Sequence, residues 1–464
     1  MERPLRRLFL FFTLLFVALL VMLTYVQVWA APSLKTNPSN TRAIEEEMKI
    51  DRGTIFSADG VALAVNTKSG PYFLRRYPER DITSPWLGYN SLQYGRAGVE
   101  RAYNEDLTGQ TGLLGVTNYL DTILNRAHRG ADLKLTINMA VQRAAASALG
   151  DRKGAVVALD PLTGAVLAMV SFPRYDPNQI DTVWKALNAD PDRPLVNRAS
   201  QGLYPPGSVF KIIVAGAALQ NRAVTPQTSF DDTGTYLAGG YIVHNYGGNT
   251  YGKHTFTQAF ANSINTTFAK VGVQLGASTL ASLASDFGFG KSPPWTLGGS
   301  ASFFPSQGSM DKAHVAQAAF GQGQVLSTPM EIALAAAAVA NGGTIMKPYI
   351  VGQVLDANQK VLENAKPQTW LQPLTADTAA AVRDLMVQVV KNGTGTSAAI
   401  SGVQVAGKTG TAEVATGQPH AWFAGFAPAD NPRVVVAVLV ENAGTGGTVA
   451  APIARQVIAA ALGQ

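Results

Sequence analysis

The chain contains no cysteine, which excludes disulfide bonds and thiolate chemistry. A zinc site would need histidine and carboxylate ligands, but the five histidines show no ligand spacing. They are His128, His244, His254, His314 and His420. No G-x-S-x-G sequence is present either, which disfavours a Ser-His-Asp hydrolase. We therefore expect neither a metal nor another cofactor.

Charged residues are scarce. They make up 15% of the 464 residues, while 47% are hydrophobic; soluble domains usually have about 25% charged residues. The formal net charge is +6, and no run of basic residues occurs. This balance gives no electrostatic footprint for nucleic acid. The length allows roughly two or three domains.

An apolar run without charge extends from Leu8 to Ala31. About 20 such residues are enough to cross a bilayer as one helix. Arg3, Arg6 and Arg7 precede the run, which predicts a single-pass anchor in the cell membrane with a cytoplasmic N-terminus and an exported remainder. The alternative is a cleaved secretory signal, because small residues follow Trp29. The apolar run is longer than the core of about 7–15 residues found in such signals.

The composition divides the chain into three segments: residues 1–31 as cytoplasmic tip and anchor, 32–150 as a membrane-proximal domain, and 151–464 as a larger domain. Within the last segment, strand-like runs at both ends flank a mostly helical middle from about 205 to 400. This order predicts an antiparallel sheet assembled from the two ends, and hence an α+β fold. Residues 32–50 are interpreted as a polar connector.

The sequence GVQVAGKT fits the phosphate-binding pattern G-x-x-x-x-G-K-T, with Gly402, Gly407, Lys408 and Thr409 in register. A phosphate loop needs a helix that starts at the lysine. The residues after Lys408 are instead rich in Gly and Thr, and the exported location has little ATP. We therefore expect no nucleotide binding.

A second lysine lies in the sequence YPPGSVFK, where Ser208 and Lys211 are three residues apart. On a helix the two side chains share one face. A serine is a weak nucleophile until a base removes its proton, and Lys211 can be that base only if burial or a nearby cation lowers its pKa. The S-x-x-K pattern alone is weak evidence, because Ser309 and Lys312 also fit it in what we interpret as a surface turn.

The order of three motifs is more specific. Ser208-x-x-Lys211 is followed by Ser263-x-Asn265 and then by Lys408-Thr-Gly, the order typical of penicillin-binding proteins and serine β-lactamases. The phrases DPLTGAVLAMVS, GQGQVLSTP and HAWFAGFAP also resemble the transpeptidase domain of penicillin-binding proteins. The resemblance covers about residues 150 to 464 and implies a sheet flanked by helices, with an all-helical subdomain.

The resemblance also implies roles for individual residues. Ser208 would attack the penultimate carbonyl of a D-Ala-D-Ala stem peptide, Lys211 would accept its proton, and Ser263 and Asn265 would relay protons and hold the peptide or Lys211. The acyl-enzyme would pass to an amine on a neighbouring stem, which crosslinks peptidoglycan. β-Lactams, as mimics of D-Ala-D-Ala, would acylate Ser208 as well.

The third motif would bind the substrate. Lys408, Thr409 and Thr411 would hold its terminal carboxylate, and Gly410 would let it lie close to an edge strand. The backbone N–H groups of Ser208 and Thr411 would form the oxyanion hole.

Two upstream phrases resemble the pedestal domain of class B penicillin-binding proteins: RGTIF from Arg52 to Phe56 and GVERAYNEDLTG from Gly98 to Gly109. They are most similar to the short division-associated type of actinobacteria and their relatives. Ser57 and Ala58 replace the usual acidic and basic residues after RGTIF. Two interpretations of Glu100 and Arg101 are open, interface residues and solvated charges, of which solvated charges are the commoner case. The resemblance implies a membrane-embedded peptidoglycan glycosyltransferase and other cell-wall proteins as partners.

Two alternatives to a crosslinking transpeptidase remain open. One is a membrane-anchored β-lactam sensor or β-lactamase, and the other is a catalytically weak cell-wall scaffold.

Overall fold

The computed structural model describes residues 2–30, 48–111, 115 and 129–464. Most of the predicted connector, and His128, lie outside the described residues.

The N-terminal apolar run forms a helix. The α-helix α1 spans Glu2–Thr24 and continues as a π-helical turn, Tyr25–Trp29. Residues Arg3–Trp29 are long and apolar enough to cross a membrane. Large apolar side chains along the helix, such as Phe9, are exposed, as a lipid-facing helix requires.

Further α-helices within the described ranges are α2 Ser84–Leu87, α3 Gly98–Ala102, α4 Asn104–Leu107, α5 Met139–Leu149, α6 Ile180–Ala189, α7 Lys211–Gln220, α8 Phe256–Ala261, α9 Asn265–Asp286, α10 Lys312–Ala318, α11 Pro329–Ala340, α12 Ala376–Asn392 and α13 Ala451–Ala461. Asn138 caps α5 by accepting hydrogen bonds from the N–H groups of Ala140 and Val141. Satisfying such otherwise unpaired donors fixes where a helix begins.

The strands are β1 Ile55–Phe56, β2 Ala62–Ser69, β3 Tyr72–Arg76, β4 Asn90–Ser91, β5 Gly95–Arg96, β6 Asp132–Leu135, β7 Gly154–Leu159, β8 Val166–Phe172, β9 Ser229–Asp232, β10 Thr235–Ala238, β11 Tyr241–His244, β12 Gly252–Thr255, β13 Ile345–Met346, β14 Val351–Leu355, β15 Val361–Asn364, β16 Thr369–Leu371, β17 Ala406–Ala412, β18 His420–Ala427 and β19 Val434–Val440.

A five-stranded antiparallel sheet has the order β17-β18-β19-β7-β8. The sheet therefore combines strands from both ends of the predicted larger domain, as the sequence indicated. β18 and β19 are buried along their whole length. Continuous apolar strands of this kind are expected where both faces of a sheet are covered. Here α11 packs on one face, and α5 and α13 pack on the other.

A second sheet has the order β15-β14-β6-β1-β2-β3, with β1 and β6 parallel. Its strands β14 and β15 come from residues 351–364, so the membrane-proximal sheet draws on both sides of the predicted boundary at residue 150. The middle of the chain is also less helical than predicted. It includes the antiparallel pairs β9–β12, β10–β11 and β13–β16. These strands are at most four residues long and therefore leave little apolar periodicity in the sequence.

The interpretation of Glu100 as a solvated charge was wrong. Its side chain is fully buried and forms ion pairs with Arg52 at 2.9 Å and Arg75 at 2.6 Å. Burial alone would raise the pKa of Glu100, but the two guanidinium groups lower it overall. The cluster links segments that are distant in sequence, and removing one partner would leave a buried charge without compensation.

Candidate active site

Ser208 lies in a 3₁₀ turn, Gly207–Phe210, that leads directly into α7. Gly207 has a φ of +54°, and its N–H donates to Gly321 O at 2.9 Å. A Cβ on Gly207 would lie 2.9 Å from Thr411 O. The serine turn and strand β17 are therefore in direct contact, which brings the first and third motifs together.

Lys211 is fully buried beneath this turn. Its Nζ donates to Ser263 O at 2.8 Å, to Ser263 Oγ at 3.2 Å and to Asn265 Oδ1 at 2.8 Å. The second motif thus holds the lysine of the first. In the described part of the chain no hydrogen bond joins the side chains of Lys211 and Ser208.

Ser263 adopts a φ of +60°, a left-handed conformation that is uncommon for a residue with a side chain. This conformation directs both its carbonyl and its hydroxyl to Lys211. Backbone strain of this kind persists when the surrounding structure requires it, and it clusters at functional sites.

Two buried lysines lie close together under the cleft. Burial, and then the charge of Lys408, hold the pKa of Lys211 well below its usual range. Burial lowers the pKa of Lys408 to about 7. The Nζ of Lys408 donates to Thr409 O at 3.1 Å. Lowered lysine pKa values are what a lysine base requires at neutral pH.

The third motif forms the edge strand β17, so Gly407, Lys408 and Thr409 lie within a strand and no helix begins at Lys408. This is not the geometry of a phosphate loop. Gly410 lies between Thr409 and Thr411 on the same strand. A Cβ there would lie 2.9 Å from Trp422 Cβ and 3.1 Å from Pro206 O. The glycine makes room for the close packing of the serine turn and Trp422 against β17.

The cleft above these residues has a volume of ≈ 560 Å³. Ser208, Ser263, Asn265, Thr409 and Thr411 all contribute to its lining. Lys211 and Lys408, both fully buried, lie behind that lining. Hydroxyl and amide groups therefore contact the contents of the cleft, while the lysines act from below.

One wall of the cleft was missed by the sequence analysis. The loop after β11 contributes Tyr246 and Tyr251 to the lining, and buried Asp232 holds it. Asp232 accepts hydrogen bonds from Thr266 Oγ1 at 2.6 Å, Asn245 Nδ2 at 2.8 Å, Tyr251 N at 2.9 Å and Gly234 N at 3.1 Å. Burial alone would raise the pKa of Asp232, but these bonds lower it overall. In sequence Asp232 is only a carboxylate near a turn, with no motif to single it out.

The decoy serine lies apart from this arrangement, whereas His244 lines the cleft and its carbonyl accepts from Asn265 Nδ2 at 3.1 Å. Ser309 ends an exposed 3₁₀ turn, as predicted. His420 is buried, and its Nδ1 accepts from Asn442 N at 3.0 Å. Among the described residues no group of His, Asp or Glu is arranged to hold a metal ion.

Comparison with known proteins agrees with this geometry. Residues 154–459 match the penicillin binding protein transpeptidase domain, and residues 52–133 match the penicillin binding protein A dimerisation domain. The chain is 38% identical to the peptidoglycan D,D-transpeptidase PbpA of Mycolicibacterium smegmatis, over 100% of this chain and 99% of the relative.

Solved structures give the same result. Penicillin-binding protein A from M. tuberculosis, as a ceftriaxone acyl-enzyme complex, superposes with a TM-score of 0.85 at 37% identity and covers 90% of this chain and 99% of its own. The D,D-transpeptidase domain of a peptidoglycan glycosyltransferase from Eggerthella lenta gives 0.83 at 39% identity, covering 89% and 99%. The chain therefore belongs to the penicillin-binding protein family, with a transpeptidase domain over residues 154–459.

Proposed function

We propose that this protein is a peptidoglycan D,D-transpeptidase that crosslinks stem peptides through an acyl-enzyme on Ser208. The observation that carries the proposal is a buried lysine with a lowered pKa, held by Ser263 and Asn265 directly beneath the turn that presents Ser208 to the cleft. A nucleophile, a base and a group that orients the base are the parts that acyl transfer needs.

In the first half-reaction, Ser208 Oγ attacks the penultimate D-Ala carbonyl and its proton passes to neutral Lys211, with Ser263 Oγ as a relay. The backbone N–H groups of Ser208 and Thr411 stabilise the oxyanion, a contribution usually worth several kcal/mol. The C–N bond then breaks, the proton returns to the departing amine, and D-alanine leaves. Thr409 and Thr411 bind the terminal carboxylate, with the charge of Lys408 behind them.

In the second half-reaction, an amine of a neighbouring stem attacks the ester carbonyl. Lys211 takes the proton of the amine and returns it to Ser208 Oγ as the ester bond breaks. The product is a new amide between two stems, and the enzyme regains its starting protonation state. β-Lactams acylate the same serine because their ring amide takes the place of the D-Ala-D-Ala bond.

We extend the proposal to topology and partners. Residues 1–31 anchor the protein with its N-terminus in the cytoplasm, residues 32–150 form the pedestal, and residues 151–464 carry out catalysis outside the membrane. Arg3, Arg6 and Arg7, at the start of α1 and ahead of the apolar run, support this orientation. A membrane-embedded peptidoglycan glycosyltransferase that supplies nascent strands, together with other cell-wall proteins, completes the assembly.

The test is the intact mass of the protein after incubation with penicillin G, for the wild type and for Ser208→Ala. The expected result is a stable single-drug adduct in the wild type only. The decoy variant Ser309→Ala is the matched control and keeps the adduct. No adduct with intact drug would contradict the nucleophile and favour a scaffold. No adduct with consumed drug would indicate fast deacylation and a β-lactamase.

A further inference from the structure

The cleft has one carboxylate among its described lining residues, Glu413. It follows β17 by one residue, and it continues the alternation in which Thr409 and Thr411 also line the cleft. Side chains two apart on an extended chain point the same way. Three side chains on one face of the edge strand therefore form a row: two hydroxyls and then an acid.

Glu413 has no role in the machinery described above. Glu413 is exposed, and its carboxylate forms no hydrogen bond or ion pair within the described parts of the chain. No lysine or arginine is among the described lining residues, and the two lysines of the floor are fully buried. The cleft thus presents one accessible negative charge with no protein cation to pair with it.

The position of Ser208 sets where that charge falls along a bound peptide. Gly207 contacts Thr411, so the reacting carbonyl lies beside Thr411. β17 is an edge strand, and an extended peptide can lie along such an edge. Two residues of extended chain rise about 6.6 Å. Glu413 therefore lies about that far from the reacting carbonyl. The third residue of the stem, directly before the penultimate D-Ala, is level with Ala412, so its long side chain can reach the neighbouring Glu413.

We propose that Glu413 binds the side-chain ammonium of the diamino residue of a stem peptide and so selects stems whose amine is free. The proposal rests on acylation of Ser208 as described above. The register along β17 assigns this ammonium to the donor stem. The same chemistry is available from the incoming acceptor stem, and the experiment separates the two sources.

The donor arm compares two ester donors of the form Nα-acetyl-L-Lys-D-Ala-D-lactate, one with a free Nε and one with Nε acetylated. The ratio of their second-order acylation rate constants is measured. We expect the wild type to favour the free amine about two- to fivefold, the range of an exposed ion pair. Raising the salt concentration reduces this ratio, because exposed charges are screened. Glu413→Gln brings the ratio to about one. The matched control Glu363→Gln, at an exposed glutamate of β15, keeps the wild-type ratio.

The acceptor arm uses the acetylated donor and measures aminolysis relative to hydrolysis with a free diamino acid as acceptor. A drop of at least twofold in Glu413→Gln, with a donor ratio near one in the wild type, would assign the ammonium to the acceptor. The proposal is overturned if the wild type distinguishes neither donors nor acceptors, or if Glu413→Gln keeps every preference. Failure of the proposed function differs from this, because then neither donor nor penicillin G acylates Ser208.

Discussion

Glu331 provides a test of how burial sets stability in the catalytic domain. It lies in the first turn of α11, fully buried, and neither carboxylate oxygen has a hydrogen-bond partner among the described residues. Burial raises its pKa to about 8. A folded-state pKa above the unfolded value means that the folded chain keeps a proton that the unfolded chain loses. Stability therefore falls as the pH rises from about 4.5 towards 8.

The magnitude follows from the size of that shift. A pH of 7 lies about 2.5 units above the pKa of this glutamate in the unfolded chain. At about 1.4 kcal/mol per unit, keeping the proton in the folded state lowers the free energy of unfolding by about 3 kcal/mol. Glu331→Met replaces the carboxyl with an apolar side chain of similar length and removes this cost. A unit of about 300 residues has an unfolding entropy near 0.6 kcal/mol/K, so the Tm should rise by about 5 °C at pH 7.

The assay is thermal unfolding of both proteins from pH 5 to pH 8. The difference in Tm should be small at pH 5 and should grow with pH, because only the wild type pays for the proton. Glu363→Met, at an exposed position, should leave the pH dependence unchanged. A Glu331→Met protein that is less stable than the wild type at pH 7 would refute the reasoning, since it would mean that the carboxyl makes favourable interactions in the folded protein.

Three further predictions concern the active site. The rate of acylation by penicillin G should rise with pH as Lys211 loses its proton and should level off well below pH 10, because burial and Lys408 lower the pKa of Lys211; a rise that continues to pH 10 would contradict this. Asp232→Asn should lower the Tm and slow acylation by penicillin G at least tenfold, because an amide cannot accept all four hydrogen bonds of the carboxylate. The control variant Asp231→Asn, at the exposed neighbouring residue, should change neither the Tm nor the acylation rate. Gly410→Ala should destabilise the domain by about 1–3 kcal/mol through overpacking against the serine turn, measurable by urea unfolding; unchanged stability would show that the turn can move aside.

The sequence predicted the scaffold because the scaffold follows local rules. The apolar runs of β18 and β19 and the Asn138 cap each contain their own signal within a few residues. The order of the three motifs likewise predicts Ser208 and Lys211 as catalytic residues without knowledge of their spatial arrangement.

Features that depend on partners distant in sequence were not predictable. Glu100 reads as a surface charge until Arg52 and Arg75 are seen beside it. Asp232 reads as a turn residue until the loop that it holds is seen over the cleft. The close packing around Gly410 was not predictable for the same reason, because its neighbours come from the serine turn and from β18. Polar and glycine positions of this kind are specified by tertiary contacts rather than by periodicity.

The way the structure holds its lysine base explains why that base can be neutral and still correctly placed. Every acceptor of Lys211 Nζ is uncharged: a carbonyl, a hydroxyl and a side-chain amide. A carboxylate in their place would favour the ammonium form and raise the pKa. Uncharged acceptors instead orient the amine at a smaller electrostatic cost, so burial and Lys408 decide its protonation. It follows that Asn265→Asp should raise the pKa of Lys211 and move the acylation pH profile towards alkaline pH, even though it keeps the hydrogen bond.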